Sequence, residues 1–168
     1  MKCLVFDSTP LIYLGKLEIL GKLKQINTKN IIPLNVYNEV VGEGKKLGFS
    51  EALYIERLVE EKHFEIREFK ITIDKAYLKV LSDADMEVLS GAKEIKGTAV
   101  VDETAAREIA SINNIESGGT IFILLQLLKS KIITKNEFKE FLDNIIKLGW
   151  RCSTELYLEI LKQLDNFS

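Results

Sequence analysis

Apolar strand-like runs alternate with helical patterns along this chain, and two of those runs stop at an acid. "KCLVF" leads into Asp7 and the helix-like "STPLIYL", while "TAVV" leads into Asp102-Glu103 and "TAAREIASI". Such alternation is the signature of a mostly parallel sheet with helices on its faces. The expected fold class is therefore α/β: a three-layer α/β/α arrangement around a central, mostly parallel sheet of about four or five short strands. In an open parallel sheet the crevice lies beyond the carboxyl ends of the strands, so Asp7 and Asp102 should face one rim. Each carboxylate has two competing readings, a helix cap or a metal ligand.

The remaining pattern fills in the layers. Thr9-Pro10 reads as an N-cap followed by proline at the first helical position. "PLIYLGKLEILGKL" is a helix, or a pair broken near Gly15, and "NIIPL" is a second strand that stops at Pro33. "NVYNEVV" opens a helix carrying Glu39, and the three glycines of "GEGKKLGF" predict a flexible loop. "SEALYIERLVEEK" is helical, with Leu53, Ile55 and Leu58 on one face, and "HFEIREF" alternates like an exposed edge strand. Helices follow around "KAYLKVL" and across "DADMEVLSGAKEI", then a short strand near "NNIES" and the apolar helix "TIFILLQLLKS". Thr134 and Glu137 form a capping box, Gly149 is a helix stop, and "TELYLEILKQL" should turn Leu156, Ile160, Leu161 and Leu164 inward.

Composition bounds the function. At 168 residues and 46% hydrophobic content the chain fits one globular domain, 1–168, with 131–168 as a C-terminal helical extension packed on it. No apolar run reaches the roughly 18 to 20 residues of a membrane helix, and the N-terminus lacks a signal-like segment, so a cytoplasmic protein is expected. Cys3 and Cys152 have no CxxC partner and read as free thiols. The net charge of −2 argues against a protein that coats nucleic acid non-specifically. Residues 1–50 carry seven Lys/Arg against four Asp/Glu, so any basic surface lies there.

The carboxylates near strand ends and helix starts are Asp7, Glu39, Asp83, Asp85, Glu87, Asp102 and Glu103. Three or four acids brought together raise one another's pKa, and the cluster persists when a cation offsets it. Ligation by oxygen alone selects Mg²⁺ or Mn²⁺. Against this, Ser82 with Asp85 is a capping box worth about 1 kcal/mol without any catalysis. Asp7 and Asp102 could each cap the helix that follows, and Glu39 reads equally as a first-turn acid. Arg107 suits a salt bridge or, more boldly, a phosphate contact. His63 is the only histidine, which leaves a Ser-His-Asp or Cys-His mechanism without a base. Neither GxxxxGK[ST] nor GxGxxG occurs.

The ordered set "VFDSTPLIYL", "VYNEV", "SDADMEVLSGAKE", "VVDETAAREIA" and "GGTIFILLQLLKSKII" resembles the PIN domain family, in particular its prokaryotic branch close to VapC-type toxin ribonucleases. The likeness covers nearly the whole chain and rests on five weak motifs in the right order. The resemblance matches the family's four acids to Asp7, Glu39, Asp85 and Asp102, with Glu103 as an additional ligand and Ser8, Glu87 and Arg107 as further candidates. Ala84 and Gly91 depart from the family pattern, and Gly91 is expected to loosen its helix.

What the resemblance implies is a metal-dependent endoribonuclease. Asp7, Asp85, Asp102 and Glu103 would bind Mg²⁺ or Mn²⁺, and Glu39 would complete the site. It further implies an RNA substrate, a small antitoxin partner if the chain is a toxin, and a homodimer through helices at 10–24 and 51–61. Other readings are a free-standing RNA-processing nuclease, a non-catalytic binding module, and a haloacid dehalogenase-type phosphatase. The last usually needs a second Asp two residues after the first, where this chain has Thr9.

Overall fold

The computed structural model describes residues 1–167. Among them, β1 (Lys2–Phe6), β2 (Thr28–Pro33), β3 (Glu65–Arg67), β4 (Thr98–Val100) and β5 (Glu116–Gly118) form one sheet in the order β3-β2-β1-β4-β5. Every pairing is parallel. Chain order reverses between β1 and β4, which makes their carboxyl ends the switch point of the sheet.

Both faces are covered. Helix α1 (Ser8–Lys16) packs with α4 (Ser50–Glu60) and α7 (Thr120–Lys129) on one face, while α5 (Asp83–Glu94) crosses β1, β2 and β4 on the other with α6 (Thr104–Ile112) beside it. Burial on two sides explains why Leu4, Val5 and Phe6 of β1, and Ala99 and Val100 of β4, are uniformly small or apolar rather than alternating. Helix α8 (Lys135–Lys147) follows α7, and α9 (Thr154–Asp165) closes the described chain. Phe138, Leu142, Ile145, Ile160 and Leu164 from this C-terminal part join the same buried cluster as β1. The three-layer α/β/α class read from the sequence is the observed one.

Several local expectations are corrected. Helix α1 begins at Ser8, with Asp7 rather than Thr9 in the N-cap position. "GEGKKLGF" is not a loop throughout: α2 (Leu34–Tyr37), a π-helical turn (Asn38–Glu43) and α3 (Gly44–Lys46) run on continuously. Glycine there serves packing, since a Cβ on Gly44 would lie 2.9 Å from the Ala52 Cβ. Gly91 likewise admits the Phe69 ring, which a Cβ would meet at 2.6 Å, so it locks α5 against its neighbour instead of loosening it. Leu53 is 60% and Leu156 37% exposed, not inward-facing. On α4, Leu53 lies two residues, about 200°, from the buried Ile55 and so falls on the opposite face.

The capping signals hold. Ser82–Asp85 and Thr134–Glu137 each form the reciprocal box, with the serine or threonine accepting the N3 amide and the acid accepting the N-cap amide. Gly149 ends α8 at φ +104°. That left-handed conformation favours glycine.

Candidate active site

The site is built at the switch point. Phe6 pairs with Val100, and the Asp7 amide donates to the Val100 carbonyl at 3.0 Å, continuing the ladder one residue beyond β1. Asp7 and the Val101–Asp102–Glu103 segment are thereby set side by side at one edge of the sheet.

Asp7 is 6% exposed. It occupies the N-cap position of α1 yet makes no side-chain cap hydrogen bond, which removes the capping explanation for a buried acid. Its carboxyl is pushed from 3.8 up to about 7, first by burial and then by the charge of Asp85, with Glu39 and Glu103 adding to the rise and the Ser8 amide opposing it. Asp85, Glu39 and Glu103, from three other stretches of chain, therefore act on Asp7 at this rim.

Glu39, Asp85 and Asp102 each accept hydrogen bonds from other residues. Glu39 lies in the π-helical turn, and its Oε2 accepts from Ser8 Oγ at 2.9 Å. Single π turns inside helices recur at functional sites because the extra residue redirects side chains. Asp85 Oδ2 accepts from the Ser82 amide at 2.9 Å, as the capping box requires.

Asp102 behaves differently from its sequence reading. It caps no helix of its own; Glu103 has the N-cap position of α6. Its Oδ1 accepts from the Thr120 amide at 2.7 Å, and its Oδ2 accepts from Thr120 Oγ1 at 2.7 Å and from the Trp150 indole Nε1 at 3.2 Å. Asp102 thus caps α7 from the end of the adjacent strand, at a helix whose own N-cap is Gly119. A Cβ on Gly119 would collide with Asp102 Oδ1. Neither Thr120 nor Trp150 stood out in the sequence, where the "GGT" and "GWR" stretches carried no side chain tied to the acids.

Glu87 is 1% exposed and accepts from the Asn35 amide at 3.2 Å and the Phe69 amide at 3.1 Å. It tethers the start of α2 and the loop after β3 to α5, and so serves the scaffold. Arg107 is exposed and, among the described residues, has no acid within ion-pair distance.

The family model DUF3368, described as PIN domain, matches residues 3–166. The chain belongs to the PIN domain family. PIN domains are generally nucleases and typically use divalent metals. The fold of this PIN domain resembles that of a PilT N-terminus domain protein from Sulfolobus solfataricus P2. The TM-score is 0.53 at 18% identity, over 75% of this chain and 93% of that one. A domain of a functionally unknown protein from Methanocaldococcus jannaschii aligns with TM-score 0.49 and 16% identity, over 71% of this chain and 91% of that one. No curated protein matches. The VapC-type branch is not distinguished by these matches.

The residues present fit a divalent cation in kind. The donors are all oxygens, and the buried, uncapped Asp7 carboxyl lacks the counter-charge that would let it ionise in its ordinary range. As the side chains stand, no group of three or more His, Cys, Asp or Glu among the described residues is arranged to hold a metal ion. Glu39, Asp85 and Asp102 each accept a hydrogen bond from a protein donor instead.

Proposed function

We propose that this PIN domain is a metal-dependent endoribonuclease acting as a single unit over 1–168, with 131–168 as its helical extension. The reading is carried by one observation: a buried, uncapped Asp7 at the switch point whose carboxyl is raised to about 7 by burial and by acids from other elements. Asp7, Asp85, Asp102 and Glu103 would hold Mg²⁺ or Mn²⁺, with Glu39 completing the set and Ser8 fixing its direction. A cation there supplies charge stabilisation for a phosphodiester under attack and lowers the pKa of water. The chain's own contribution is to orient the carboxylates and to keep Asp7 shielded from solvent. Without a counterion the acidic rim repels RNA, so metal is required for substrate binding as well as for cleavage.

The finer readings follow from the family resemblance. The RNA is hydrolysed to a 5′-phosphate and a 3′-hydroxyl. A small antitoxin covers the acidic rim if the chain is a toxin, and a free-standing RNA-processing role is the alternative. Leu11 and Leu14 of α1 and Ala52, Ile55 and Leu58 of α4 are buried within the chain itself, while Leu47, Phe49 and Leu53 are exposed apolar side chains that a homodimer in this region would use. No helix among the described residues is long and apolar enough to cross a membrane, in keeping with a cytoplasmic nuclease.

A non-catalytic binding module is the second reading, favoured by the protein donors that already bond Glu39, Asp85 and Asp102. One experiment separates the two. Labelled single-stranded RNA is incubated with the purified protein in Mn²⁺, in EDTA, and with Asp7→Asn in Mn²⁺. Cleavage in the first condition alone supports the nuclease; binding without cleavage in all three supports the module.

A further inference from the structure

Trp150 is the only tryptophan, and its indole is spent on one acid of the candidate site. The turn that delivers it is well defined. Gly149 N–H donates to the Ile146 carbonyl at 3.0 Å and Trp150 N–H to the Ile145 carbonyl at 2.9 Å, the paired bonds of a Schellman motif. With Gly149 at φ +104°, this fixes the direction in which the chain leaves α8. The ring is 8% exposed and reaches Asp102 Oδ2 at 3.2 Å. Thr120 holds the same carboxylate from the start of α7 through its amide and hydroxyl.

A carboxylate offers about four lone pairs, and Thr120 and Trp150 take three, leaving one on Oδ1. We propose that Trp150 and Thr120 are positioning residues that clamp Asp102 and would hold its remaining lone pair available to a cation. This rests on the metal-site reading above. It makes the C-terminal extension part of the metal site, because the indole comes from the α8–α9 turn. Donors of this kind, behind a ligating acid, set its orientation and typically change metal affinity about 10- to 100-fold when removed.

The test uses the full chain and the metal alone. Mn²⁺ is titrated calorimetrically into wild type and Trp150→Phe, which deletes the N–H while keeping an aromatic ring, with thermal unfolding in EDTA as the measure of folding. The expected result is a Kd raised about 10-fold or more, a correspondingly raised Mn²⁺ activation constant, and kcat restored at saturating Mn²⁺. In parallel, Mg²⁺ should change wild-type Trp150 emission, and that change should vanish in Asp102→Asn. Wild type that binds Mn²⁺ while Trp150→Phe binds equally tightly overturns the clamp and leaves the metal site standing. Wild type that binds no metal overturns the metal-site reading and the clamp with it. If Trp150→Phe does not fold, wild-type emission decides: unchanged fluorescence at a Mg²⁺ concentration that calorimetry shows to be bound overturns the clamp.

Discussion

Ser8 Oγ donates to Glu39 Oε2 at 2.9 Å, joining the residue after Asp7 to the π-helical turn 31 positions later. The bond holds Glu39 over the rim that Asp7 occupies. Ser8→Ala is expected to leave the fold intact, at a stability cost of about 1 kcal/mol. It should weaken Mn²⁺-dependent RNA cleavage about 10-fold or more through a misdirected Glu39. Circular dichroism melts and initial rates at several Mn²⁺ concentrations check both parts.

Asp7 gives a pH dependence of defined sign. Its folded-state value, about 7, lies above the ordinary 3.8, so the folded protein holds this proton more tightly than the unfolded chain does. Its contribution to metal-free stability is therefore greatest below 3.8, falls as pH rises through the window to about 7, and is flat above. Asp7→Asn removes the buried charge. In EDTA at pH 8 it should be more stable than wild type by on the order of a few kcal/mol, with the difference shrinking toward pH 4, while cleavage is nearly abolished. Urea unfolding of both proteins from pH 4 to 8 measures this. Equal stability at both ends would show that Asp7 is not the strained acid described above.

Metal affinity should share that window. A cation at the rim competes with the Asp7 proton, so binding below about pH 7 releases protons and weakens as pH falls. Mn²⁺ calorimetry at pH 6 in two buffers of different ionisation enthalpy should show proton release that is absent at pH 8.

Glu87 separates scaffold from site. It is buried and accepts the Asn35 and Phe69 amides, so Glu87→Gln places an NH₂ against one of those donors. The expected effect is a loss of about 1 to 3 kcal/mol in urea unfolding, with metal affinity per folded molecule little changed. A selective loss of Mn²⁺ binding at unchanged stability would instead place Glu87 among the ligands.

Gly119 tests the close approach of α7 to Asp102. A Cβ there meets Asp102 Oδ1, so Gly119→Ala must push the acid off the Thr120 amide or displace the helix. A destabilisation of about 1 to 3 kcal/mol, together with a weakened metal site, is the expected outcome of melts and Mn²⁺ titration.

The sheet, its layers and the two capping boxes are legible in the amino-acid order, because periodicity and cap chemistry act over a few residues and are written in contiguous stretches. That order also placed Asp7 and Asp102 at strand ends, hence at one rim. It could not say how each carboxylate is spent. Asp7 looked like a cap and is uncapped; Asp102 looked like a cap for α6 and serves α7; Glu87 looked like a spare ligand and ties α2 to α5. Those outcomes turn on donors 18, 48 and 52 positions away in sequence, at Thr120, Trp150 and Asn35. A hydrogen bond acts over about 3 Å of space, and only the folding of the sheet brings those donors that near.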